Sequence, residues 1–167
     1  MNEELKILIT ALREELTQYG EVLALMQEQQ QFIINRSANE LLLNLNVVNE
    51  QMEKVSVARN HREACRRALV ATLGATEETT FRQMTEMLSP EVQPLLNALV
   101  EEINQLLQHI QKWLRQNHML LSRSLDLMKQ IMKGMFPSSS ATAGTYGREG
   151  QVSPVTPPPS TLYEGII

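Results

Sequence analysis

The chain is predicted to be all-α, an elongated antiparallel helical bundle or hairpin of long helices with a short connecting helix and a disordered C-terminal tail. Three observations predict this. Apolar residues recur at three- and four-residue steps over long stretches, as on one face of an α-helix. Aromatic residues are only 4% of the chain, so packing must rest on Leu, Ile, Val and Met. Gly74, Ser89-Pro90, Gly134 and Pro137 stand where the striped segments end or restart.

The first stripe is Leu5, Leu8, Leu12, Leu16, Tyr19, Leu23, Met26 and Ile33, interrupted at Gln30. It predicts a helix from Glu3 to Ile34, on the order of 50 Å long. Gly20 within it is a weak point of roughly 1 kcal/mol against alanine, not a break. The phase changes at Asn35–Ser37, where Ser37-x-x-Glu40 has the form of a capping box. A second stripe follows through Leu41, Leu45, Val48, Met52, Val55, Ala58, Cys65 and Leu69, with Arg62 the one charge on its seam and Gly74 placed to end it. A short third helix is expected with Thr76 as its cap, Glu77 and Glu78 at its positive end, and Phe81, Met84 and Leu88 facing inward.

Ser89-Pro90 then predicts a fresh start, serine as N-cap and proline in the first helical position. The helix expected from Pro90 to Met135, about 46 residues and close to 70 Å if straight, is the longest. Its seam is Val92, Leu96, Leu99, Ile103, Leu106, Ile110, Trp113, Asn117, Leu120, Ser124, Leu127 and Ile131. Leu95, Leu107, Leu114, Leu121, Leu125, Met128 and Met132 run beside it, so the apolar face is wider than a two-helix contact requires. Gly134 and Pro137 end the regular pattern. Residues 1–136 therefore form the helical domain. The Pro/Ser/Gly-rich residues 137–167 carry too little apolar surface to offset their ordering entropy and are expected to be a disordered tail.

Composition excludes several functions. The chain has 167 residues, enough for one core, with 20% charged residues and a net charge of −4. Acids and bases are interleaved and no basic block exists, which argues against nucleic-acid binding. The polar faces are also not rich in the lysine and arginine of a membrane-surface helix. The sequence opening Met1-Asn2-Glu3-Glu4 has acids where a signal peptide needs bases, and no apolar run approaches the roughly 18 residues of a transmembrane helix. A single cysteine, Cys65, fits a reducing compartment. The expected location is the cytoplasm, without membrane insertion.

Catalytic constellations are missing. None of the three histidines has a glutamate three residues earlier, so the Glu-x-x-His pairs of a di-metal bundle are not present. His61 and Cys65 share a helix face, but two ligands are a weak zinc signal. Arg62 and Arg66 could activate the Cys65 thiol, although a small core residue is the plainer assignment. No Gly-rich loop precedes a Lys-Ser/Thr pair. Neither enzyme activity, nor a metal, nor a cofactor is expected.

Asn117 admits two readings. An asparagine on an apolar seam fixes register at some cost in stability; alternatively its amide meets an incoming backbone. Met119, Met128, Met132 and Met135 suit the second reading, because thioethers adapt to varied surfaces.

The order of these features resembles the FlgN family of flagellar export chaperones. The likeness rests on the striped N-terminal helix, Arg59 and Arg62 late in the second, Leu73-Gly74, and the connector Thr80-Phe81-x-x-Met84-x-x-Met87-Leu88. It rests above all on Asn117-x-x-Leu120-Leu121-x-x-Ser124-Leu125, followed by Thr145-Tyr146-Gly147-x-x-Gly150. The sequence after Gly150 is longer than the family pattern requires. The resemblance implies a cytoplasmic chaperone that holds the amphipathic C-terminal segments of hook-associated proteins, prevents their premature assembly and delivers them to the flagellar type III export gate. Cargo would then lie on Asn117, Leu120, Leu121, Ser124, Leu125, Met128 and Ile131, and the gate would meet Tyr146. The rival expectation is a structural coiled-coil protein that self-associates as a homodimer through the same stripe.

Overall fold

The computed structural model describes residues 3–135, and within them the fold is all-α: α1 (Glu3–Ile34), α2 (Ala38–Thr72), α3 (Phe81–Glu86) and α4 (Gln93–Met135). The expected tail, including Tyr146, lies outside the described residues. By its internal contacts the chain divides into two units, residues 1–121 and residues 122–167.

In the first unit α1 and α2 form an antiparallel hairpin. Its buried seam on α1 is Leu5, Leu8, Leu12, Glu15, Tyr19, Val22, Met26, Gln29 and Ile33, alternating steps of three and four. The matching seam of α2 includes Asn44, Gln51, Val55, Ala58, Cys65 and Leu69. A 3.5-residue repeat on both helices keeps one stripe against the other along their whole length. Polar side chains thus occupy positions that an apolar count skips. Leu16 and Leu23 are half-buried beside the seam, and Met52, expected on it, is exposed while neighbouring Gln51 is buried.

Each buried polar group has a reason to be there. The Gln51 amide donates to the Gln18 carbonyl at 3.1 Å and to Gln18 Oε1 at 2.7 Å. Asn44 Nδ2 donates to the Leu25 carbonyl at 3.1 Å and to Glu28 at 3.3 Å. Arg62, the seam charge, donates from Nε to Glu15 Oε2 at 2.7 Å. Burial first, and then the Glu15 carboxylate, raise the nearby Tyr19 hydroxyl above its ordinary pKa. These bonds fix register, because a one-step slip would strand each group without a partner.

The helix ends depart instructively from the expected caps. Ser37 precedes α2 but makes no side-chain cap bond. The reversal is closed from the other side: Arg36 adopts φ 55°, its N–H meets the Ile33 carbonyl at 3.2 Å, and the Ser37 N–H meets the Phe32 carbonyl at 2.9 Å. That is a Schellman turn, which captures the last carbonyls of α1. Gly74 ends α2 the same way at φ 68°, with the Gly74 N–H on Ala71 and the Ala75 N–H on Val70. Thr80 caps α3, not Thr76; it makes a full capping box with Gln83, so Glu77 and Glu78 precede the helix. Arg66 holds that approach by donating to the Thr79 carbonyl at 2.7 Å. Phe81 and Leu88 pack against the core and Met84 is fully buried, as their spacing requires.

α4 starts at Gln93, three residues later than Pro90. The cause is Pro94. A helix begun at Pro90 would need an N–H from residue 94 and would press the proline ring against the residue 90 carbonyl. Starting at Gln93 places Pro94 in the first turn, where no N–H is required. Leu96, Leu99 and Ile103 then bury themselves in the apolar cluster made by Leu5, Leu8, Leu12, Leu69, Val70 and Met84. Because α4 begins beside the C-terminal end of α2 and later meets Met26 and Gln29, it runs in the same direction as α1.

Gly20 and Gly74 are expected to respond to alanine with opposite signs. A Cβ would meet nothing within 4 Å at either. Gly20→Ala is expected to stabilise by up to about 1 kcal/mol, since only backbone entropy changes in a helix interior. Gly74→Ala is expected to destabilise by about 1 kcal/mol because of its left-handed φ. Urea denaturation of the two variants checks both.

Candidate surface for a partner chain

The sequence singled out the second half of α4, and burial along that helix falls in steps. After Ile103 the seam residues Leu106, Ile110 and Trp113 are only half-buried, as is the neighbouring Leu107. Asn117 is then 2% exposed. Its Nδ2 donates to the Met26 carbonyl at 2.8 Å and to Gln29 Oε1 at 3.0 Å, while its Oδ1 accepts from Gln30 Nε2 at 3.2 Å. The amide is saturated by α1, which makes Asn117 a register residue in this structure. The first unit ends just beyond, with Leu120 and Leu121 half-buried and Met119 70% exposed.

In the second unit the described part of α4 keeps its helical stripe but not its burial. Ser124 is half-buried. Leu125, Leu127, Met128, Ile131, Met132 and Met135 are all exposed, Ile131 by 60%. Side chains three, four and seven apart lie on one helix face, so within this unit Leu125, Met128 and Met132 form one apolar row and Ser124, Leu127 and Ile131 the next. Such a row can take up a second amphipathic segment. Of the sequence-assigned cargo residues, the structure puts all seven on this helix, with Asn117 at the covered end and Ile131 toward the open one. Tyr146 lies outside the described residues.

A second apolar group was missed from the sequence. Ile34 at the end of α1 and Leu42, Leu43 and Val47 at the start of α2 are exposed. The stripe through Leu41, Leu45 and Val48 drew attention away from them, although the run Leu41-Leu42-Leu43 is apolar all round and could have signalled it.

The other candidates resolve as structural. Cys65 is buried, and burial raises its thiol pKa, the opposite of an activated nucleophile. His61 Nε2 lies 3.8 Å from its sulfur. Among the described residues no group of three or more His, Cys, Asp or Glu side chains could hold a metal ion, and no helix is long and apolar enough to cross a membrane.

Comparison with known proteins adds one finding. The family model described as FlgN protein matches residues 1–154, a span that takes in all four helices and the Asn117–Leu125 motif. No curated protein and no solved structure matches. The matched span covers most of the chain, and the chain belongs to the FlgN family of flagellar export chaperones.

Proposed function

We propose that the chain is a cytoplasmic chaperone that binds the amphipathic C-terminal segments of hook-associated flagellar proteins along the second half of α4. Binding there prevents their premature assembly and brings them to the flagellar type III export gate. The observation that carries this reading is the run of exposed apolar residues from Leu125 to Met135 on a helix that buries Leu96, Leu99 and Ile103 near its start. An amphipathic segment laid along Leu120, Leu121, Ser124, Leu125, Met128 and Ile131 would cover that face. Asn117 closes the site at its covered end. A cargo segment that is unstructured beforehand loses entropy on binding, which moderates its affinity and favours release at the gate.

Titrating the full chain with the C-terminal segment of a hook-associated protein in a calorimeter tests the reading. Saturable binding with a negative heat-capacity change is expected, because apolar surface is buried. The rival assignment, a coiled-coil scaffold, is favoured by the same exposed stripe. It predicts a concentration-independent homodimer in sedimentation and no heat with cargo.

Gate contact is assigned to Tyr146, since an aromatic side chain offers a large contact area at small entropic cost. Tyr146→Ala is expected to lose retention by the isolated export-gate component and to keep cargo binding. Loss of both would mean that Tyr146 packs on the bundle instead.

A further inference from the structure

The first unit contains an asymmetry that the proposed cargo site does not use. One end of the bundle is closed by apolar packing, with Leu5, Leu8, Leu12, Leu69, Met84, Leu96 and Leu99 in one cluster. Toward the α1–α2 turn polar side chains join the apolar ones at buried positions: Gln51, Asn44, Gln29 and Asn117 are buried there as well as Val22, Met26 and Ile33. Asn44 and Asn117 both bond to the same stretch of α1, Leu25–Gln30. They make a polar layer at one level of the bundle. Asn44 Oδ1 in that layer is buried and has no hydrogen-bond partner among the described residues.

α4 crosses from one regime to the other. Between Ile103, its last buried apolar residue, and Asn117 no side chain of α4 is buried. At 1.5 Å per residue that gap is about 21 Å. Three hydrogen bonds at its far side hold the helix against α1, and each can be replaced by one to water at small net cost. An apolar contact of the same size has no such substitute. The layer also contains an unsatisfied acceptor, which water would satisfy on opening.

We propose that Asn117 is a latch, and that the Leu106–Leu121 segment of α4 exchanges between a state held on Met26, Gln29 and Gln30 and a released state. Release exposes the inner faces of Leu106, Leu107, Ile110 and Trp113, which extends the cargo surface toward the N-terminal end of α4. This consequence rests on the proposed function; the latch itself does not. Cargo then binds the released state more tightly, and the latched population lowers its apparent affinity.

Trp113 is the one tryptophan of the chain and sits one turn before the latch, so its fluorescence reports the segment directly. Asn117→Ala is expected to raise acrylamide quenching of Trp113 about threefold, by shifting the population toward release. Far-ultraviolet circular dichroism should be unchanged. Replacing Asn117 and Gln29 together by leucine makes the seam apolar and is expected to lower quenching below wild type. In the wild-type chain, native-state hydrogen exchange should show amides of residues 106–117 opening before those of 96–103.

Wild-type quenching in folded Asn117→Ala overturns the latch, as does exchange of 96–117 as a single cooperative unit. If Asn117→Ala unfolds, the wild-type exchange pattern decides alone. Cargo titration separates the two proposals. An Asn117→Ala chain that shows raised quenching but binds no cargo, alongside a wild type that also binds none, keeps the latch and rejects the cargo reading. Cargo binding at equal affinity in wild type and in an Asn117→Ala chain with raised quenching keeps the cargo reading and rejects the extension of the cargo surface by release.

Discussion

Replacing Leu121 and Leu125 together by glutamine is expected to abolish co-purification of hook-associated cargo while the free chain keeps its helical content. Glutamine is nearly as good a helix former as leucine, so α4 itself is not weakened. Leu125 is 48% exposed in the free chain and Leu121 half-buried, so the unbound protein loses little packing. The bound state loses much more. A leucine fully buried by a partner contributes about 1.5–3 kcal/mol relative to its exposed state. Losing two such contacts weakens binding on the order of a hundredfold or more. Titration of wild type and double variant with the same cargo segment reads this directly. Undiminished affinity would remove Leu121 and Leu125 from the site. A parallel loss of helical signal would show that the pair serves the fold instead.

The second large effect concerns stability. Arg62→Leu is expected to destabilise the chain by about 2–4 kcal/mol. The Glu15 carboxylate is buried among α1, α2 and their neighbours, and Arg62 Nε at 2.7 Å is its ion-pair partner. Removing one member of a buried pair leaves the other charge desolvated and unpaired, which costs about 3–5 kcal/mol in protein interiors. The Arg62 side chain is a quarter exposed, so solvent relieves part of that cost. The Glu15→Leu/Arg62→Leu double variant is expected to recover most of the loss, because an apolar pair of similar size needs no partner. Chemical denaturation of the two singles and the double forms a mutant cycle whose interaction energy isolates the pair. Equal destabilisation by single and double variants would mean that Arg62 acts through packing of its stem, not through Glu15.

How far the sequence specifies this structure depends on the range over which each feature is decided. The breaks at Asn35–Ser37 and Gly74, the short helix around Met84 and the long final helix were legible, because periodicity and glycine placement are local signals. The caps were less so. Thr76 and Thr80 both carry an oxygen suited to capping, and only the side chain at Gln83 and the grip of Arg66 on the Thr79 carbonyl select the second. Pro94, expected near the helix start to distort the first turn without forbidding the helix, instead moves the start of α4 to Gln93.

Burial was legible for most apolar seam residues, though not for Met52, and illegible for Glu15, Gln29, Asn44 and Gln51, whose polarity hides them from a stripe. Their seven-residue spacing was the available clue: Asn44, Gln51, Ala58 and Cys65 repeat in step on α2. Asn117 stood open to two readings because its partners, Met26, Gln29 and Gln30, lie on a distant helix. The apolar row beyond Leu121 was visible in the sequence. So was an apolar face wider than a two-helix contact requires; which of its residues stay exposed was not.

The proposed function depends most on cargo binding along the exposed apolar stretch of α4. Hydrogen exchange of the full chain with and without a hook-associated cargo segment measures this most directly. The amides of residues 120–132 should exchange faster than those of the Leu5–Leu12 core in the free chain, and should slow by at least about tenfold on adding cargo. Cargo that binds while protecting other residues and leaving 120–132 unchanged would contradict the account.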